Sequence, residues 1–254
     1  MRLFGLIGYP LTHSFSKEYF GEKFQREAVK NCQYENFQLT SITELPTIIQ
    51  HHPNLEGLNV TIPYKESVVA FLDEKNDLVR QIGACNCIKI INGKLVGFNT
   101  DVIGFERSLL SKLRSDHKNA LILGTGGAAK AVEFVLKKNQ IHFTYVSRAH
   151  LQNSITYEQL TPELMDKNKL IINTTPVGMY PKLDEILPLP FEAITPKHFL
   201  FDLIYNPPKT LFLKRGEERG AVIQNGYEML LCQAEESWSI WNQPSNTGSI
   251  PGLS

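Results

Sequence analysis

Cysteine is scarce in this chain of 254 residues, charge of either sign is not in excess, and long apolar runs are missing. The four cysteines, Cys32, Cys85, Cys87 and Cys232, are too few and too scattered for a disulfide scaffold. Cys85 and Cys87 lack flanking His or Cys residues that could complete a metal set, so all four read as reduced thiols and no metal is expected. Lys plus Arg and Asp plus Glu both number 26, which argues against a general nucleic-acid or anionic-membrane binder while leaving room for one local phosphate site. No apolar run approaches the ~20 residues of a membrane span. The opening stretch Met1–Pro10 has neither the long apolar core nor the cleavage site of a signal peptide, so a cytoplasmic protein is expected. Asn59-Val60-Thr61 and Asn173-Thr174-Thr175 match the glycosylation pattern but sit beside strand-like runs and are read as coincidental.

What is present is an alternation of apolar strands and helical patterns. Leu3–Ile7, Cys32–Phe37 and Leu58–Ile62 read as strands, with helical spacing over Lys17–Lys30 and again over Tyr64–Glu74. The pattern restarts near residue 119: strands are predicted at Ala120–Leu123, Ile141–Val146, Leu170–Ile172 and Phe199–Leu203, with a helix over Ala128–Lys138. Such alternation predicts an α/β protein with mostly parallel sheets in two domains, divided near Asp101–Gly104. The uncharged, Pro-, Gly- and Ser-rich end, residues 244–254, is expected to be a disordered tail.

The strand Ala120–Leu123 runs into Gly124-Thr125-Gly126-Gly127-Ala128-Ala129, a G-x-G-x-x-A pattern where a helix should begin. Gly124 permits the tight turn, Gly126 lets backbone approach a pyrophosphate, and Ala129 lets helix and strand pack closely. The helix N-terminus then presents free N–H groups to the phosphates. The next strand ends at Ser147-Arg148, with a cation where an NAD site carries a carboxylate. Arg148 at that place selects the 2′-phosphate of NADP.

Ser14 and Ser16 follow the first strand, spaced so that both hydroxyls could hold one carboxylate or cap a helix. Lys65 falls just past the third strand, Asn86 follows Gly83-Ala84-Cys85, and Asp101 sits at the inferred domain junction, a preferred place for a small-molecule site. Taken together, these segments resemble the shikimate dehydrogenases. The resemblance runs in order through Gly8–Ser16, Asn59–Lys65, Gly83–Asn86, Asn99–Asp101, Gly124–Ala131, Asn173–Met179, Asp202–Pro207 and Asn225–Ala234.

The resemblance implies a substrate domain of residues 1–102 plus 227–243, whose C-terminal helix returns to it, and a Rossmann-type NADP-binding domain of residues 103–226. It implies reversible reduction of 3-dehydroshikimate by NADPH in aromatic amino-acid biosynthesis, by a monomer or homodimer. By the same resemblance, Ser14, Ser16 and Tyr205 hold the substrate carboxylate. Asn59, Thr61, Asn86, Asp101 and Gln233 surround its hydroxyls, and Lys65 and Asp101 form the catalytic pair. Gly124, Thr125, Gly126, Gly127 and Ala128 take the pyrophosphate and Arg148 the 2′-phosphate. Leu203, Gly226 and Asp77 approach the nicotinamide half. The chain departs from the family pattern at Lys17, where Pro is usual, at Cys87, where Thr is usual, and at Ser147-Arg148-Ala149, where Asn-Arg-Thr is usual. Ser16 favours shikimate over quinate, whose dehydrogenases tend to carry Thr there. The rivals are a quinate/shikimate dehydrogenase of relaxed specificity, a non-catalytic ligand sensor, disfavoured because Lys65 and Asp101 are both present, and another oxidoreductase of the same two-domain plan, such as a methylene-tetrahydrofolate dehydrogenase, disfavoured by the Ser14/Ser16 pair and the Asn86 and Asp101 blocks.

Overall fold

A computed structural model describes residues 1–11, 15–149 and 153–244. Among these residues, twelve strands form two six-stranded sheets in two compact units, Met1–Thr100 with the chain from Ala234 onward, and Asp101–Gln233. The strands of the first unit are β1 (Arg2–Gly8), β2 (Cys32–Gln38), β3 (Leu55–Val60), β4 (Glu74–Lys75), β5 (Cys87–Ile91) and β6 (Lys94–Phe98). Those of the second are β7 (Asn119–Leu123), β8 (His142–Ser147), β9 (Ser154–Thr156), β10 (Leu170–Asn173), β11 (Phe199–Asp202) and β12 (Val222–Gln224).

The first sheet has the order β2-β1-β3-β5-β6-β4. The pairs β1–β2, β1–β3 and β4–β6 are parallel, and β3–β5 and β5–β6 are antiparallel. Alternation along β1 sends Leu3 and Ile7 to one core and Phe4 and Leu6 to the other, so both faces of the sheet are covered. Gly5 is required by packing, because a Cβ there would run into the Phe37 ring. The second face is closed by the helix Tyr227–Asn242, whose Trp241 stacks on Phe4 with centroids 4.9 Å apart. The indole N–H of Trp241 donates to the Ile88 carbonyl at 3.0 Å.

Every pair in the second sheet is parallel, in the order β12-β11-β10-β7-β8-β9. Numbered from β7, this is the 3-2-1-4-5-6 order of a dinucleotide-binding sheet. Residues Ala120–Leu123 and Leu170–Ile172 are fully buried, as expected of strands covered by helices on both faces. The order reverses between β7 and β10, and that switch point sets the crevice beyond their carboxyl ends.

One expectation needs correction, and one element is new. Tyr64–Glu74 is not one helix: it holds a 3₁₀ turn at Ser67–Phe71 and then β4. The Lys65 carbonyl accepts from Cys85 N–H at 2.7 Å, which takes it out of any helical ladder, and the paired Val68-Val69 are weak helix formers. The β5–β6 hairpin went unpredicted, although its two-residue loop Asn92-Gly93, with φ of 51° and 77°, is the turn chemistry such hairpins favour. The two units divide at Thr100/Asp101 and at Gln233/Ala234, inside the last helix. That helix's start packs within the second unit, with the Met229 carbonyl 2.5 Å from where a Cβ on Gly104 would stand. Of the expected tail, residues 245–254 lie outside the described residues.

Candidate active site

The glycine-rich turn follows β7 at the switch point. Gly124 has φ of 104°, and its N–H donates to the Val146 carbonyl at 2.9 Å, continuing the sheet. Its missing side chain is required twice over. The backbone is left-handed there, and a Cβ would lie 2.8 Å from both Thr174 Oγ1 and Thr175 Cγ2. Thr174 is itself fixed, its N–H and hydroxyl donating to the Leu123 carbonyl at 2.9 and 2.7 Å. Gly126 is the N-cap of the helix Gly127–Lys138 and supplies no side-chain acceptor to the first turn. A Cβ on Gly126 would meet no atom within 4 Å. An exposed, open turn whose helix start carries no side-chain cap fits a dinucleotide pyrophosphate. Ala129, fully buried, lets the helix sit against the sheet.

Arg148 lies just past the end of β8 and is exposed. Its charge acts on Tyr157, whose burial pushes the phenol up to about 12. Ser147 faces inward, its hydroxyl donating to the Ala149 carbonyl and lying 3.1 Å from the Ser154 hydroxyl. Among the described residues at this strand end, the Arg148 guanidinium is exposed while the Ser147 hydroxyl is engaged within the fold.

Leu203 and Gly226 come together so closely that a Cβ on Gly226 would run into the Leu203 carbonyl. Asp202, one residue before, is fully buried. Its carboxyl accepts from Thr210 Oγ1 at 2.5 Å, Ile204 N–H at 3.0 Å and Asn173 Nδ2 at 3.0 Å. Burial outweighs these donors and pushes its pKa up to about 7. Asn173 in turn accepts from Thr175 N–H and Thr175 Oγ1 at 2.9 and 2.7 Å. A buried polar chain therefore runs from the Leu203 segment to the threonines beside Gly124.

In the first unit, Ser16 lies in the first turn of the helix Phe15–Arg26, Asn59 near the end of β3 and Asn86 just before β5. Asn59 and Asn86 are 4% and 2% exposed, and Asn59, like Asn173 in the other unit at 0%, is too buried to carry a glycan. Asn59 Oδ1 accepts from the Tyr34 hydroxyl at 2.9 Å, and its Nδ2 donates to Ser237 Oγ at 2.8 Å and to the Asn86 carbonyl at 3.3 Å. Asn86 Oδ1 accepts from Thr100 N–H at 2.6 Å, and its Nδ2 donates to Thr100 Oγ1 at 3.0 Å. The backbone of Thr61 donates to the Ile7 carbonyl at 2.9 Å, which anchors the segment leading to Lys65.

Residues 6–88 match the family described as the shikimate dehydrogenase substrate binding domain. The NADP-dependent shikimate dehydrogenase of Desulforamulus reducens is 37% identical over 93% of this chain and 88% of its own length. The chain belongs to the shikimate dehydrogenase family. The crystal structure of the Aquifex aeolicus shikimate dehydrogenase superposes with a TM-score of 0.85 at 32% identity, covering 98% of this chain and 95% of that one. That of the Thermus thermophilus shikimate 5-dehydrogenase, in complex with NADP(H) and shikimate, has a TM-score of 0.84 at 28% identity, covering 95% of this chain and 94% of that one.

Within this shikimate dehydrogenase fold the predicted site residues divide between the units. Ser16, Asn59, Thr61, Lys65, Asp77 and Asn86 belong to the first; Asp101, Gly124–Ala128, Arg148, Leu203, Tyr205, Gly226 and Gln233 belong to the second. Ser14 lies outside the described residues. Lys65 and Tyr205 are half-buried, Asp101 opens the helix Asp101–Leu110 as a buried residue, and the Gln233 Nε2 donates to the Leu230 carbonyl at 3.0 Å. Asp77 starts the short helix Asp77–Ile82, where its exposed carboxylate pairs with Arg80 at 2.7 Å. Sequence reasoning missed Tyr34, Thr100 and Ser237. The sign was available at Ser237, a serine among apolar residues on the inward face of a helix. Among the described residues, no group of three His, Cys, Asp or Glu could hold a metal ion, and no helix is long and apolar enough to cross a membrane.

Proposed function

We propose that this chain interconverts 3-dehydroshikimate and shikimate with NADPH and NADP, as a step of aromatic amino-acid biosynthesis. The observation that carries the reading is its identity, along nearly its whole length, to relatives named NADP-dependent shikimate dehydrogenases. The open glycine turn at the switch point and the buried asparagine set in the other unit supply the two kinds of site this chemistry needs.

NADPH, when bound, supplies the hydride that reduces the ketone. Gly124, Thr125, Gly126, Gly127 and Ala128 hold its pyrophosphate and Arg148 its 2′-phosphate, with Leu203, Gly226 and Asp77 assigned to the nicotinamide half. Ser14, Ser16 and Tyr205 hold the substrate carboxylate, and Asn59, Thr61, Asn86, Asp101 and Gln233 its hydroxyls. The Lys65 ammonium hydrogen-bonds the ketone oxygen, stabilises the negative charge that develops there, and donates the proton that completes the alcohol. Asp101 is assigned as the second member of the catalytic pair and accepts from a substrate hydroxyl. In oxidation the same proton leaves the alcohol for Lys65. The buried thiols Cys85 and Cys87 suit a reducing compartment, and the enzyme is assigned to the cytoplasm, as a monomer or homodimer.

The test is initial rates of nicotinamide reduction in a two-by-two design, shikimate or quinate with NADP or NAD. Rapid turnover with shikimate and NADP alone supports the reading and the roles of Ser16 and Arg148. Comparable rates with quinate or NAD overturn the specificity assignments. Binding of shikimate without turnover would make the chain a ligand sensor.

A further inference from the structure

The hydroxyl of Ser237 closes a ring of hydrogen bonds that runs through both asparagines of the first unit. Asn59 Nδ2 donates to Ser237 Oγ at 2.8 Å. Ser237 Oγ lies 3.3 Å from Thr100 Oγ1, which accepts from Asn86 Nδ2 at 3.0 Å. The Asn86 carbonyl accepts the other hydrogen of Asn59 Nδ2 at 3.3 Å and completes the ring. Ser237 and Thr100 are both fully buried, so these bonds face no competition from solvent. Ser237 is also held in place independently of the ring. The next residue, Trp238, meets the Phe4 ring edge-on with centroids 5.4 Å apart, and Trp241 stacks on the same ring. From β5, Lys89 Nζ donates to the Ile240 and Gln243 carbonyls at 3.0 and 2.5 Å, at the C-terminal end of the same helix. An anchored helix thus delivers one hydroxyl to a fixed point between two amides.

The ring sets what each amide can offer. Asn59 Nδ2 must face the Asn86 carbonyl, which can only accept, so Oδ1 is the atom turned the other way. The Tyr34 hydroxyl fills one of the two lone pairs of that oxygen, at 2.9 Å, and the second can accept from a substrate hydroxyl. Asn86 is set the opposite way round. Its Oδ1 must face the Thr100 N–H at 2.6 Å, which can only donate, and its Nδ2 gives one hydrogen to Thr100 Oγ1 and has a second to donate. We propose that Ser237 is a positioning residue that holds the Asn59 and Asn86 amides as an acceptor and a donor for the substrate hydroxyls. The proposal rests on the assignment of both asparagines to the substrate.

The test is steady-state kinetics and thermal unfolding of the full chain carrying Ser237→Ala, Thr100→Val, Asn59→Ala, or Ser237→Ala with Asn59→Ala. Ser237→Ala deletes one hydroxyl and adds no bulk. Thr100→Val is isosteric and deletes the hydroxyl on the other side of the ring while keeping the Thr100 N–H, so it decides the matter if Ser237→Ala does not fold. Each is expected to raise the shikimate KM about three- to tenfold, with kcat and the NADP KM within about twofold. In the Asn59→Ala background, Ser237→Ala should raise the shikimate KM by a smaller factor than in the unmutated protein, because one of the amides it acts through is gone. Equal factors in the two backgrounds would overturn the proposal. So would a shikimate KM that rises in Asn59→Ala but not in Ser237→Ala or Thr100→Val, whatever their unfolding temperatures, which would make the ring purely structural. A matching rise in the NADP KM would show a general loosening and overturn it as well. An unchanged shikimate KM in Asn59→Ala would instead remove the substrate role of Asn59, and the proposal with it.

Discussion

Thr174 occupies the space that a side chain on residue 124 would need, its hydroxyl oxygen 2.8 Å from the position of a Cβ on Gly124. The glycine turn is thus shaped by the segment that follows β10 as well as by the strand it leaves. Gly124→Ala meets both this clash and a left-handed backbone. It is expected to destabilise the protein by about 1–3 kcal/mol and to raise the KM for NADP by roughly tenfold or more, since the pyrophosphate turn must shift. Thermal unfolding and initial rates at saturating shikimate check both.

In its proposed role, Lys65 makes an interaction that strengthens as charge develops on the ketone oxygen, and Lys65→Ala removes it. The expected result is a fall in kcat of about 10²–10⁴-fold with the shikimate KM changed far less. A raised KM at unaltered kcat would make Lys65 a binding residue.

Arg148→Ala should act on one cofactor only. On its proposed 2′-phosphate role, losing a charge-assisted contact worth about 1.5–3 kcal/mol raises the KM for NADP by about 10- to 100-fold, while NAD, which has no 2′-phosphate, is used as before. Steady-state rates with each cofactor measure the ratio.

Asp202 predicts a pH dependence of stability. Its folded-state pKa is raised from 3.8 to about 7, so the native protein holds this proton more tightly than the unfolded chain. The stabilisation is fully present below pH 4, falls as pH rises from 4 to 7, and is flat above that, a difference on the order of 4 kcal/mol at most. Asp202→Asn is isosteric and does not titrate, so it should remove this component. Urea unfolding of both proteins at several pH values gives the comparison.

The strands β7, β10 and β11 were legible because a strand buried on both faces is a short, nearly continuous apolar run, and the half-buried β8 because of its aromatic and β-branched residues. The Gly124–Ala129 turn was legible because its chemistry is local, a strand end, glycines and a helix start adjacent in sequence. The helix expected at Tyr64–Glu74 failed for a non-local reason, the capture of the Lys65 carbonyl by Cys85 N–H. Tyr34 and Ser237 were not legible as site-supporting residues. Each reads as an ordinary core position until the fold sets them on either side of Asn59.

Residue order by itself determined the α/β class, the place of the dinucleotide turn and the cation at the end of β8, because each depends on neighbours within a few residues. The tertiary structure decided which polar groups of the site still have a hydrogen or a lone pair to offer. Asn59 shows the reason. Its amide is held by residues 25 and 178 positions away in the chain, and only the folded sheet and its C-terminal helix bring them within bonding distance.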